Sequence, residues 1–457
     1  MTPNALVTAQ SLEARIARRL ASLERARPRV LGLLADNGPE WLAADLAAER
    51  AGIPLVPLPP FFTVAQLRHA LDASGVDALL IDSAERAQAL GFAPSGEAGL
   101  FHRVASPVVV PAGTSKITFT SGTTGTPKGV HLDAAQQQAL ACALEQALRP
   151  LGIRRHLCLL PLAVLLENVA GARTALAAGA ECALPPLAAV GVAGSSGFDP
   201  LACLAALGRW RAESVILLPQ MLLALTLALE AGAPPPAELR FAAVGGAKVS
   251  PALIERARAA GLPAYEGYGL TECGSVVSLN LPGADRPGSV GRPLAHARVS
   301  VGADHEIVVS GVRTGDLGRL DADGFLHVEG RRKHMIITSF GRNVAPEWPE
   351  AELAAGGAIA QAAVFGEARP RLAAVIVPRS AAATDGALDV EVQRANARLP
   401  DYARIAFWIR ADAPFGAADG TATANGRVRR DAVWSRYGAR LASLYAARSG
   451  APSHALL

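Results

Sequence analysis

An α/β fold, with parallel-type sheets covered by helices, is what this sequence predicts on three observations. Helix-like and strand-like segments alternate through the first half, as they do where crossover helices join parallel strands. Hydrophobic residues make up 51% of the chain, enough for a sizeable core. The length, 457 residues, exceeds what one core usually holds, so two or more domains are expected.

Taken in order, MTPNALVTAQSLEARIARRL lacks the continuous apolar core of a signal peptide, and its leucines and alanines suit an amphipathic helix. Val30–Leu34 reads as a strand, Glu40–Ala51 as a helix and Pro54–Pro57 as a strand. Val64–Ala73 is a helix and Ala78–Ile81 a strand. The style continues with strand Leu157–Leu160, helix Glu167–Ala178, helix Phe198–Ala206 and strand Val215–Leu218. Asp199 and Pro200 are the expected N-cap and first turn of their helix. Residues 288–330 read as a small β-rich region, with strands over His305–Ser310 and Gly324–Val328. The stretch 445–457 reads as a loose tail.

Net charge is only +4 and no basic run suggests nucleic acid. Five cysteines, an odd number without C-x-x-C and without histidine at metal-ligand spacing, fit free thiols in a reducing cytoplasm. The most apolar stretch, 215–236, is interrupted by Pro219, Gln220 and Glu230 and is too short to span a bilayer comfortably. It reads as a buried strand followed by a proline-started helix ending near Gly232, leaving at most peripheral membrane contact. Lysine occurs only at Lys116, Lys128, Lys248 and Lys333, so arginine carries almost all the positive charge.

The most informative segment is ITFTSGTTGTPKGVHL, residues 117–132. A β-prone run ending at Thr120 enters a loop with hydroxyls on Ser121, Thr123, Thr124 and Thr126. Gly122, Gly125 and Gly129 let backbone N–H groups approach a ligand, and Lys128 adds a cation. Strand, hydroxyl-rich glycine loop and lysine together make a phosphate cradle, though not of the G-x-x-x-x-G-K-[ST] kind.

This loop resembles the phosphate-binding signature of the adenylate-forming superfamily, whose members include acyl-CoA synthetases. Four further segments resemble its motifs in order: EGYGLTECG (266–274), TGDLGRLDADGFLHVEGRRK (314–333), SFGRNVAPEWPE (339–350) and TANGRVRR (423–430). The resemblance implies a large N-terminal domain, 1–333, and a small mobile α+β C-terminal domain, 334–457, hinged at Lys333. It implies two steps, each with its own domain pose: a carboxylate attacks the α-phosphate of ATP, then a thiol attacks the acyl-adenylate. In that scheme residues 120–129 hold the β- and γ-phosphates and Tyr268 lies against adenine. Thr271 touches phosphate, Glu272 binds Mg²⁺, Asp316 accepts from the ribose hydroxyls and Arg331 adds a charged contact. Gly341 and Arg342 fall where the family lines its thiol channel.

The chain departs from the family in three places. The adenylation lysine of the C-terminal Gly-Lys-x-x-Arg pattern is replaced by Arg427, and no lysine follows Lys333. Val164 stands where fatty-acyl members carry a histidine or aromatic residue. Only Ser310–Arg313 separates Ile307-Val308-Val309 from Thr314-Gly315-Asp316, where the family carries a longer segment. Small or apolar pocket candidates, Val164, Leu165, Gly245, Gly246, Ala247 and Gly274, point to a medium- or long-chain fatty acid. The expected enzyme is an acyl-CoA synthetase using ATP, Mg²⁺ and CoA. The alternatives are an acyl-AMP ligase loading the phosphopantetheine of an acyl carrier protein, or a degenerate nucleotide- or acyl-binding homologue.

Overall fold

The uninterrupted apolar run Leu31–Leu34 forms a strand buried along its whole length. That is the signature of a parallel strand covered on both faces. It pairs in parallel with Leu55–Pro57 on one side and Ala78–Ile81 on the other. They belong to a sheet of seven described strands, whose edge is the hairpin of Thr114–Thr120 and Lys128–Asp133. A second sheet, of eight described strands, has a parallel centre: Glu181–Ala183, Arg155–Leu157, Ser214–Leu217, Phe241–Val244 and Ala264–Leu270. The computed structural model describes residues 5–120, 128–194, 197–423 and 426–449.

The two sheets sandwich a helical layer. Leu31 and Leu33 of the first and Cys158 and Cys182 beside the second share one core with Trp41, Leu42 and Ala44 of helix Pro39–Arg50. Helix Val64–Ala73 covers the outer face of the first sheet, where Leu34 and Val56 point. Helices Pro200–Trp210 and Pro219–Glu230 cover the outer face of the second, over Leu157 and Leu217. The strand and the inner face of the helix within the apolar stretch 215–236 are therefore core, and no described helix is long and apolar enough to cross a membrane.

A four-stranded antiparallel sheet, Val299–Val301 to Leu326–Arg331, forms the β-rich region. The C-terminal unit is a three-stranded sheet centred on Leu372–Pro378. Along that strand Leu372, Ala374 and Ile376 enter one apolar cluster while Ala373, Val375 and Val377 enter another, the two-residue alternation of a strand covered on both faces.

Several elements differ from expectation, each for a physical reason. The strand expected over Leu157–Leu160 stops at Leu157, because Glu167 Oε2 takes the backbone N–H groups of Leu159 (3.0 Å) and Leu160 (2.8 Å). The helix expected over Glu167–Ala178 is a π-helix over Leu166–Arg173 that passes into α-helix Thr174–Ala177. The Phe198 helix starts at Pro200, with Asp199 capping the N–H groups of Leu201 and Ala202, while Phe198 pairs with Val192 in a short ladder. Residues 445–449 continue helix Arg430–Ser449 and Tyr445 is buried, so the tail does not begin there; residues 450–457 lie outside the described residues.

Candidate active site

The phosphate hairpin brings Thr120 opposite Lys128 in register. Ser121, Gly122, Thr123, Thr124 and Gly125 lie outside the described residues, as does the Thr120 side chain. Gly129 is needed for packing: a Cβ there would stand 3.2 Å from Ile117 Cγ2 and 3.4 Å from Phe119 Cζ.

Asp316 and Arg331 face each other across the ladder of Val312–Leu320 and Leu326–Arg331. The Arg331 Nε donates to Asp316 Oδ1 at 2.8 Å, and the Tyr268 hydroxyl donates to Asp316 Oδ2 at 2.7 Å. Each carboxylate oxygen of Asp316 thus accepts from one neighbour. Arg331, expected to add a charged contact to a ligand, pairs with Asp316. Burial raises the Asp316 carboxyl above its ordinary range, against the opposing pull of Arg331 and Tyr268. The missing family segment is replaced by a tight hairpin turn. Ser310 (φ 47°) and Gly311 (φ 88°) link Val309 to its partner Val312, the two positive φ angles of a compact hairpin.

Thr271, Glu272 and Cys273 form one 3-10 turn after strand Ala264–Leu270. Glu272 is exposed and makes no hydrogen bond or salt bridge among the described residues, so its oxygens are available to a hard cation such as Mg²⁺. Gly274 takes φ 87°, and a Cβ there would press on the Gln136 side chain at 3.1 Å. Gln136, which nothing in the sequence singled out, thus borders the pocket candidates.

Arg427 reaches across from the C-terminal unit and donates to the Gly246 carbonyl at 2.9 Å. Gly246 itself takes φ 85°, in the left-handed region that favours glycine. Protein atoms ring the guanidinium, yet its side chain keeps solvent contact, which is the condition of a group in a cleft. Burial, then Arg331, lowers its pKa, while Asp316 and Glu272 oppose the shift. Burial, then Arg331 and Lys128, lowers the Lys333 ammonium in the same way. Lys128, Arg331, Lys333 and Arg427 therefore converge with Asp316 and Glu272 on one cleft.

The remaining candidates scatter around it. Leu165 is buried in an apolar cluster with Phe241, Val276 and Leu279, while Val164 is half-buried and outside every such cluster. Gly245 is buried, and Gly246 and Ala247 are exposed. Gly341 (φ 69°) and Arg342 are exposed on a loop, with the Arg342 guanidinium 6.0 Å from the Tyr402 ring.

The fold also assembles groups that sequence spacing kept apart. His156, Cys158 and Glu167 bring ligand-type atoms within 4.8 Å of one another, although no cysteine–histidine spacing indicated it. His156 bridges Ser214 Oγ (3.0 Å) and Glu167 Oε1 (2.9 Å), so the cluster satisfies itself by hydrogen bonding. Cys158 and Cys182, both buried, stand with sulfurs 3.7 Å apart. Lys116 is buried against Asp45 (2.8 Å), which also pairs with Arg173 (3.0 Å). The scarcity of lysine was the available signal there; Asp45 and Arg173, far apart in the chain, offered none.

The fold and cleft are those of an adenylate-forming enzyme. The chain belongs to the AMP-binding enzyme family: the AMP-binding enzyme profile matches residues 9–318, and that of the AMP-binding enzyme C-terminal domain matches residues 333–449. It is 30% identical over 434 residues to a feruloyl-CoA synthase of Amycolatopsis sp, covering 83% of this chain and 85% of that one. It is 36% identical to a long-chain-fatty-acid–CoA ligase of Mycobacterium bovis over 159 residues, 30% of this chain and only 26% of that ligase. Among solved structures, the o-succinylbenzoate coenzyme A synthetase of Bacillus subtilis, in complex with ATP and magnesium ion, has the same fold: TM-score 0.71 at 24% identity, over 94% of this chain and 97% of that one.

Proposed function

We propose that this chain activates a medium- or long-chain fatty acid as its acyl-adenylate and transfers the acyl group to the thiol of CoA. The observation that carries the proposal is the cation-rich cleft. Lys128, Arg331, Lys333 and Arg427 gather there around Asp316 and Glu272, with Asp431 and Glu347 close by, and burial together with neighbouring cations lowers the pKa of both Lys333 and Arg427. Such a group is relieved by a polyanion, and the triphosphate of ATP is the polyanion this chemistry requires.

In the first step the acid's carboxylate oxygen attacks the α-phosphate and pyrophosphate leaves. Lys128 faces the departing phosphates and Arg427 the α-phosphate. Glu272 holds Mg²⁺, which supplies charge neutralisation when bound. Asp316 accepts from the ribose hydroxyls with the lone pairs that Tyr268 and Arg331 leave open, and the Tyr268 ring packs on adenine. In the second step the thiol enters past Gly341 and Arg342, after rotation about Lys333.

The half-buried Val164 and the small residues Gly245, Gly246, Ala247 and Gly274 support an apolar acyl chain. A hydroxycinnamic acid is the second reading, favoured by the feruloyl-CoA synthase that aligns over most of both chains. Pyrophosphate release with ATP and a panel of both acid classes, repeated with CoA and with an acyl carrier protein, separates these readings. Release with aromatic acids alone overturns the fatty-acid assignment, and release with no acid overturns the activity.

A further inference from the structure

Among the described residues, two arginine side chains hydrogen-bond across the boundary of the C-terminal unit, and only one of them, Arg427, lies in the cleft. The other is Arg256, on helix Pro251–Ala259 behind the second sheet. Glu230 fixes one side of its guanidinium, taking Nε at 2.5 Å and Nη2 at 2.6 Å. A planar fork fixed on two nitrogens has its third aimed. That nitrogen, Nη1, donates to the carbonyls of Ala355 (2.9 Å) and Gly356 (3.4 Å), in the loop between helix Glu347–Ala354 and strand Ile359–Phe365.

The loop is shaped to be held there. Ala355 is buried in the core cluster of the second sheet. A Cβ on Gly356 would fall 1.4 Å from Glu391 Oε1, and one on Gly357, at φ 112°, would touch Leu227 Cδ2 at 3.2 Å. Glu391, on helix Asp385–Asn396, lies against Gly356 and pairs with Arg394 at 3.4 Å, so it adds field at Arg256 without competing for its bonds. The direct bonds that Arg256 makes across the boundary are to neutral carbonyls, a contact that forms and breaks without stranding a charge.

We infer that Arg256 is a positioning residue, a clamp that holds the C-terminal unit in the pose that puts Arg427 at the Gly246 carbonyl. The inference rests on the two-pose reaction proposed above. Holding that pose favours acyl-adenylate formation, and the second step requires its release. Arg256 touches no reacting atom.

The test uses the full chain with Arg256→Gln, Arg256→Lys and Gly356→Ala. Amide hydrogen exchange over residues 355–357, measured without ligands, reads the clamp directly. Pyrophosphate release reads the first half-reaction, and thioester formation from supplied acyl-adenylate reads the second. Arg256→Gln and Gly356→Ala are expected to raise exchange in that loop and slow the first half-reaction by about tenfold, the scale of one charge-assisted hydrogen bond. The second half-reaction should hold or rise, and Arg256→Lys should recover part of the first. Unchanged exchange overturns the clamp, as does equal slowing of both half-reactions with a lowered Tm. If the wild type releases no pyrophosphate with any acid, the proposed function fails, and the clamp is judged on exchange alone.

Discussion

Arg427 is the residue at which this chain differs most from its family's pattern, and its surroundings suit an arginine. One of its nitrogens bonds a backbone carbonyl while Asp316 and Glu272 lie close by. A lysine offers a compact point charge, whereas the guanidinium fork can keep Gly246 and still present other N–H groups to a phosphate. Arg427→Ala is expected to slow pyrophosphate release by the equivalent of about 2–4 kcal/mol, the usual loss for one group facing developing charge. Thioester formation from supplied acyl-adenylate should be much less affected. Arg427→Lys sharpens the result: a slower first step shows a site adapted to the fork, and a faster one shows that the arginine is tolerated drift.

At the scale of elements, a buried charge network joins the strand that leads into the phosphate loop to the helices beside it. Asp45 sits on helix Pro39–Arg50, Lys116 on the strand that leads into the phosphate loop, and Arg173 at the end of the π-helix. Burial alone would raise the Asp45 carboxyl; the charges of Arg173 and Lys116, with their hydrogen bonds and that of Asn168, outweigh it and hold the carboxyl below its ordinary range. Removing one partner strands the others without water. Asp45→Asn is expected to cost about 3–5 kcal/mol in denaturant unfolding. A loss under about 1 kcal/mol would show that the network relaxes or takes up water. The π-helix has its own requirement, since a Cβ at Gly171 would lie 2.2 Å from Glu167 Oε1. The wider π turn and the glycine together leave room for the His156–Glu167 pair.

For the whole molecule, the proposed rotation passes through Lys333, in the turn Arg332–His334 between the β-rich sheet and the C-terminal unit. Proline locks φ near −65° and removes an N–H. Lys333→Pro is therefore expected to slow thioester formation about tenfold or more while largely sparing pyrophosphate release; slowing of both steps alike would move the hinge elsewhere. Global stability has a separate pH signature. Burial pushes the Glu266 carboxyl up to about 7, with Lys248 and the Val249 N–H opposing. A carboxyl whose folded pKa lies above its unfolded value binds the proton more tightly when folded. Its contribution is full below the unfolded pKa, near 4.5, and is lost as pH rises through about 7. The wild-type Tm should fall relative to that of Glu266→Gln between those two pH values, and parallel Tm profiles would show that Glu266 is not the group responsible.

Motif resemblance placed the family, and local pattern the α/β class and most strand and helix positions, because both depend on residue type and on spacing along the chain. The agreement is close where the local pattern is plain, in the one-sided apolar stripe of helix Val64–Ala73 and the fully buried strand Ala78–Ile81, whose bounds match those expected. The pattern misled where a distant side chain claimed the backbone: Glu167 ends the Leu157 strand early, and its own helix widens to a π turn. Tertiary structure decided what spacing cannot encode. It set Arg331 against Asp316, Gln136 beside Gly274, and Lys116 with Asp45 and Arg173, and it set Arg256 against the Ala355 and Gly356 carbonyls. Each joins residues separated in sequence and selected by packing, and partners of that kind exist only once the chain has folded.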